Sequence, residues 1–111
     1  MTAYPFTLAE IVSWFRLKQH SLEGSGVSLD EVHERTQYLP AAAADFSSDG
    51  TMGRINAWVS GEFDFEAIRA SDSKSLFSGH AKVSTLDALE STYADFLQHL
   101  LNPKMADNNP Q

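Results

Sequence analysis

The segment from Gly53 to Ile68 constrains this chain most. It reads Gly-Arg-Ile-Asn-Ala-Trp-Val-Ser-Gly-Glu-Phe-Asp-Phe-Glu-Ala-Ile, two alternating runs on either side of a Val-Ser-Gly break. A three-residue loop at Val59, Ser60 and Gly61, a type I turn followed by a left-handed residue, puts Gly61 where a missing Cβ removes the steric cost. Trp58 then faces Glu62, and counting outward pairs Ala57 with Phe63, Asn56 with Asp64, Ile55 with Phe65 and Arg54 with Glu66. One face of the hairpin becomes Ile55, Ala57, Phe63 and Phe65; the other becomes Arg54, Asn56, Trp58, Glu62, Asp64 and Glu66. A two-residue Ser60-Gly61 turn would instead set Ile55 against Glu66 and Ala57 against Asp64. A slip of one residue turns every side chain to the wrong face, so the separation of apolar from polar positions favours the longer loop.

The flanks supply helices. Thr7-Leu8-Ala9-Glu10 is a capping box, with Phe6 and Ile11 placed as a hydrophobic staple. Leu8, Ile11, Val12 and Phe15 follow at helical spacing, and Gly24-Ser25-Gly26 is a stop, so a helix is expected from Leu8 to about Leu22. At the other end Ser84-Thr85-Leu86-Asp87 offers a second cap, with Asp87 complementing the helix dipole. Leu86, Leu89, Tyr93, Phe96, Leu97 and Leu100 then recur at helical spacing until Asn102-Pro103 ends the element near Leu101.

Between them the signal is weaker. Val27, Leu29 and Val32 fit a first strand or a further short turn of helix. Pro40 argues against a central strand running through it, and Ala41 to Phe46 reads as a short strand despite the helical propensity of four alanines. Ser47-Ser48-Asp49-Gly50 is a turn that pairs this strand with Thr51 to Val59. Ser75 to Val83 alternates loosely, as a further strand would. The expected fold is α+β: an antiparallel meander of about four strands, with the N-terminal and C-terminal helices packed on one face. An antiparallel sheet can keep its other face wet, which leaves the Trp58 side exposed. Residues 1–103 form one domain in this reading, and 104–111 a disordered polar tail.

Composition then excludes whole classes. With 111 residues the chain can bury a core unaided, and the absence of cysteine removes disulfide frameworks and Cys-ligated metal sites. No leader pattern and no apolar run of the roughly 18 residues that a membrane helix requires is present, so a cytoplasmic protein without membrane partners is expected. Eight Lys and Arg against 15 Asp and Glu give a net charge of −7, which disfavours nucleic acid and suits a basic protein partner, though acidity also serves plain solubility.

The carboxylates invite chemistry but do not carry it. Glu62, Asp64 and Glu66 alternate along one strand, so neighbours lie roughly 6 to 7 Å apart, a spacing within reach of glycosidase acids or ligands of a hard cation. Glycosidase carboxylates face each other across a cleft, however, and calcium sites need looping backbone. A solvated strand face, with Arg54 pairing Glu66, is the simpler account. His33-Glu34 opens like a zinc-protease helix, but Gln37 stands where the second histidine belongs. His20, His80 and His99 show no ligand spacing, and there is no nucleophile elbow or phosphate loop. No catalytic residues, metal ligands or cofactor are therefore assigned, and no enzymatic activity is expected. Trp14 flanks the apolar stripe of the first helix, whereas Trp58, unless residues 41–46 cover it, is the kind of aromatic that anchors an interface.

The residues Gly53-Arg54-Ile55, Trp58, Ser60-Gly61-Glu62, Asp64 and Glu66 resemble the Gly-Arg-(Ile/Val)-x-x-Trp-Glu-Ser-Gly-x-x-Asp-x-Glu core of small bacterial immunity proteins of polymorphic toxin systems, in particular the TriTu-like family. Trp14-Phe15 in the first helix and the leucine-rich closing helix fit the same layout, from about Leu8 to Leu101. Two positions depart: Val59 replaces the Glu after the Trp, and Arg69-Ala70 replaces an acidic residue after the second strand. If the usual Glu contacts the toxin, this chain uses other contacts or serves another toxin. The resemblance implies an antitoxin that occludes a cognate effector, for that family an ADP-ribosyltransferase acting on a translation elongation factor. Arg54, Asn56, Trp58, Glu62, Asp64 and Glu66 would then be partner-binding residues. The alternative is an adaptor or secretion chaperone, binding a partner at the sheet edge or between the helices.

Overall fold

The computed structural model describes residues 3–102. Helix α1 (Leu8–Ser21) leads into β1 (Ser28–Arg35), β2 (Ala41–Ser48), β3 (Thr51–Trp58), β4 (Glu62–Arg69) and β5 (Ser75–Lys82), and a 3-10 turn (Leu86–Leu89) runs into α2 (Glu90–Leu101). The five strands form one sheet in chain order, each antiparallel to its neighbours. The polar tail expected at 104–111 lies outside the described residues.

Local chemistry sets both ends of α1. The Glu10 carboxylate accepts from the Thr7 backbone at 2.9 Å, and the Thr7 hydroxyl accepts from the Glu10 backbone at 3.1 Å, completing the capping box. Ile11, Trp14 and Phe15 are the buried face. At the second helix the expected cap is not made. Thr85 makes no side-chain capping bond, and Leu86–Leu89 winds as 3-10 before the α-helix begins at Glu90.

The sheet has one strand more than the four expected. β1 occupies the segment that sequence patterning left open between strand and helix, and a bulge explains its faint signal. Pairing with β2 shifts register between Leu29 and Glu31, so Leu29 stands opposite Phe46 and Val32 opposite Ala44. Both face the helices although three positions separate them, which breaks the period of two. β2 overrides the helical propensity of its alanines because it is central, hydrogen-bonded to β1 and β3. Ala42 and Ala44 lie beneath the helices, while Ala41 and Ala43 floor the opposite face.

The hairpin register is the one its sequence implies. Arg54 pairs with Glu66, Ile55 with Phe65, Asn56 with Asp64 and Ala57 with Phe63. Gly61 takes φ +96° and donates to the Trp58 carbonyl at 2.9 Å, closing the loop. Ile55, Ala57, Phe63 and Phe65 are buried inward. Phe96 on α2 lies against Phe46, Phe65 and Phe77, with ring centroids 5.1 to 6.4 Å away.

α1 packs over β1 and β2, and α2 chiefly over β4 and β5, so both helices cover the same face. Between them Trp14 meets Tyr93 edge-on at 5.4 Å, and Lys18, seated over both rings, bonds Glu90 at 2.6 Å. Among the described residues no helix lies on the opposite face of the sheet.

Candidate functional site

Register alone arranges the uncovered face in rows across the strands. One row runs Glu31, Asp45, Arg54, Glu66, Ser78; the next runs His33, Ala43, Asn56, Asp64, His80. A third joins Arg35, Ala41 and Trp58, and beyond the hairpin loop Glu62 stands opposite Lys82. Within the hairpin each of these side chains alternates with an inward-facing residue, which is why the hairpin residues singled out in the sequence share one surface.

The charges are organised around Asp45. Arg54 donates through Nε to Asp45 Oδ1 at 2.6 Å and through a terminal nitrogen to Oδ2 at 3.2 Å. His33 Nε2 lies 2.9 Å from Oδ2 of the same carboxylate and 3.6 Å from Glu31. The Arg54 guanidinium holds the Asp45 carboxyl below its ordinary range, with the His33 bond adding to this and partial burial opposing it. Asp45 in turn pushes Arg54 further up. The expected Arg54–Glu66 pairing is thus corrected. The two residues stand opposite each other in register, but the guanidinium turns to β2, where the carboxylate of Asp45 meets it in the planar fork geometry.

Glu31, His33 and Asp45 bring ligand-type atoms within 4.8 Å of one another, the one such group among the described residues. Arg54 already sets a cation on both oxygens of Asp45, so the cluster works as an ion-pair network. On β4 and β5, Asp64 bonds His80 Nδ1 at 2.5 Å, the arrangement of a base and its orienting carboxylate. Among the described residues no hydrogen bond links Ser78 to that imidazole, so the pair lacks an engaged nucleophile.

Arg54, Asn56, Asp64 and Glu66 line one shallow hollow of about 510 Å³, together with Ser78 and His80 of β5. Trp58 is partly buried and lines a different hollow, at the β1–β2 loop, with Glu34, Arg35, Gln37, Tyr38 and Leu39. Four of the six residues singled out are therefore gathered together. Trp58 stands apart, and Glu62 lies at the end of its strand. Val59, where the resemblance expects Glu, is only 4% exposed and packs into the core, so its side chain offers nothing to a partner.

Sequence reading missed Asp45, Ser78 and Tyr38, and it weighed His33 and His80 only as metal ligands or catalytic groups. The alternation Ser78, His80, Lys82 was a usable signal once β5 was accepted. Asp45 had none, since its role depends on a neighbouring strand.

No helix among the described residues is long and apolar enough to cross a membrane. A comparison with curated proteins gave no match. The family model for the immunity protein TriTu matches residues 9–99, which take in the whole sheet and most of both helices. The chain belongs to the TriTu immunity protein family.

Proposed function

We propose that this chain neutralises a cognate toxin domain in the cytoplasm by stoichiometric binding through the uncovered sheet face, occluding the toxin's active site without chemistry of its own. Family membership carries the immunity role and implies a toxin protein as partner. The surface assignment rests on one observation: the strand registers put Arg54, Asn56, Trp58, Glu62, Asp64 and Glu66 on the face that no helix among the described residues covers. Asp64 and Glu66 line a hollow there. Their carboxylates, with Glu62, match Arg and Lys around a toxin cleft that binds an anionic substrate. An ADP-ribosyltransferase, whose dinucleotide substrate carries phosphates, is a toxin of that kind.

Charge pairs of this sort mainly raise association rate and specificity, while a desolvated aromatic anchor contributes about 2 kcal/mol or more. An adaptor binding between the helices has less support, because Trp14, Tyr93, Lys18 and Glu90 fill that space.

The test is calorimetric titration against the cognate toxin domain, sought in the adjacent gene, alongside inhibition of that toxin's activity. Trp58→Ala and the triple reversal Glu62→Lys, Asp64→Lys, Glu66→Lys should each weaken binding while the protein stays folded. Wild-type affinity in both variants would remove this face from the interface.

A further inference from the structure

The loop between β1 and β2 carries a feature that the fold does not use. Tyr38, at its tip, is 99% exposed, the most exposed of the large apolar side chains among the described residues. Its backbone takes φ +58°, the left-handed region where a Cβ crowds the following carbonyl and which glycine or asparagine ordinarily occupies. The chain thus holds a bulky ring in a disfavoured backbone conformation without burying any of it. Strain of this kind persists where the surroundings enforce it, and it concentrates at sites that bind.

The base of the loop is fixed. Leu39 and Pro40 are partly buried, and the Pro40 carbonyl accepts from the Val59 backbone at 3.1 Å, tying the loop to the end of β3. Trp58, the last residue of β3, lies beside that tie. It shares with Tyr38, Leu39 and Gln37 a hollow of about 610 Å³. The two charges on its rim, Glu34 and Arg35, cancel.

We propose that Tyr38 and Trp58 together grip one uncharged aliphatic or aromatic side chain of the cognate toxin, with Tyr38 as a second anchor of the interface. This rests on the toxin-binding role proposed above and adds a loop that the hairpin surface does not include. Charge defines the occupant. The hollow is neutral overall, whereas Glu62, Asp64 and Glu66 follow on the strand next to Trp58, so the matching toxin segment carries an apolar residue with Arg or Lys beside it. Rigid aromatic side chains give large contact area at small entropic cost, and hot spots concentrate in Tyr and Trp.

The test uses the full chain and the same cognate toxin domain. Tyr38→Gly should raise Kd by at least about tenfold, the loss typical of an anchor residue, while Tm stays level or rises because glycine accepts the left-handed conformation. Tyr38→Phe should keep Kd within about twofold, since the ring and not the hydroxyl makes the grip. Leu17→Ala, which trims another exposed apolar side chain, on α1, should leave Kd unchanged. If wild type binds and Tyr38→Gly binds equally well, the second anchor is overturned while the toxin-binding role stands. If wild type does not bind, both fall.

Discussion

Asp45 and Arg54 are cross-strand partners whose fork of two hydrogen bonds, 2.6 and 3.2 Å long, holds the guanidinium over β2 and away from Glu66. The central cation of the uncovered face is thereby neutralised within the sheet. Of the carboxylates lining the hollow beside it, Asp64 bonds His80 and Glu66 is left facing an incoming partner.

This pair makes stability depend on acidity. Arg54 depresses the Asp45 carboxyl below its ordinary 3.8, so the folded value is lower than the unfolded one. The contribution is therefore complete above the unfolded value and is lost as pH falls through the depressed folded value. Both side chains are partly exposed, which limits it to about 1 kcal/mol or less. The stability difference between wild type and Asp45→Asn, from urea titrations, should be constant near neutrality and shrink below about pH 4.5. A difference that grows toward acid would contradict the assignment.

At Gly53 the side chains of α2 rest directly on the backbone of β3. A Cβ there would stand 2.7 and 2.9 Å from two atoms of the Phe96 ring and 3.1 Å from Leu100. That ring is wedged among three other phenylalanines and has little room to give. Gly53→Ala should cost about 1–3 kcal/mol, read as a lower urea midpoint. Toxin affinity of the folded fraction should not change, because the new methyl points away from the uncovered face.

The Tyr93 hydroxyl is buried and has no hydrogen-bond partner among the described residues. Burial, reinforced by the Glu90 carboxylate, pushes its phenol well above the ordinary value of 10.0. Removing an unsatisfied hydroxyl while keeping the ring's contacts with Trp14 and Phe96 should stabilise the protein by about 1 kcal/mol. Tyr93→Phe should raise Tm; a lower Tm would show that the hydroxyl is satisfied in solution.

If the acidic row steers the toxin, association should slow as salt rises and the dissociation rate should respond far less. Neutralising the row with Glu62→Gln, Asp64→Asn and Glu66→Gln should flatten the salt dependence of the association rate measured by stopped flow. An unaltered slope would assign the steering to other carboxylates of this acidic chain.

Local sequence determined the helix start at Thr7 and Glu10, and the hairpin from Arg54 to Glu66. In both, the deciding partners lie a few residues apart: a capping box closes within one turn, and a loop ending in a left-handed glycine sets register for the strands it joins. Tertiary structure decided the rest. The bulge at Asp30 hides β1 by displacing Leu29 and Val32 from strict alternation, and the alanines of β2 become a strand because β1 and β3 supply hydrogen bonds that no isolated segment could. Arg54 had carboxylates available on both sides, and only the assembled sheet selected Asp45. Tyr38 and Trp58 are 20 positions apart in the chain. The β2–β3 pairing of Ala41 with Trp58 and the tie from Pro40 to Val59 bring them to one hollow, because the sum of weak contacts between distant segments sets such a meeting and no short run of residues encodes it.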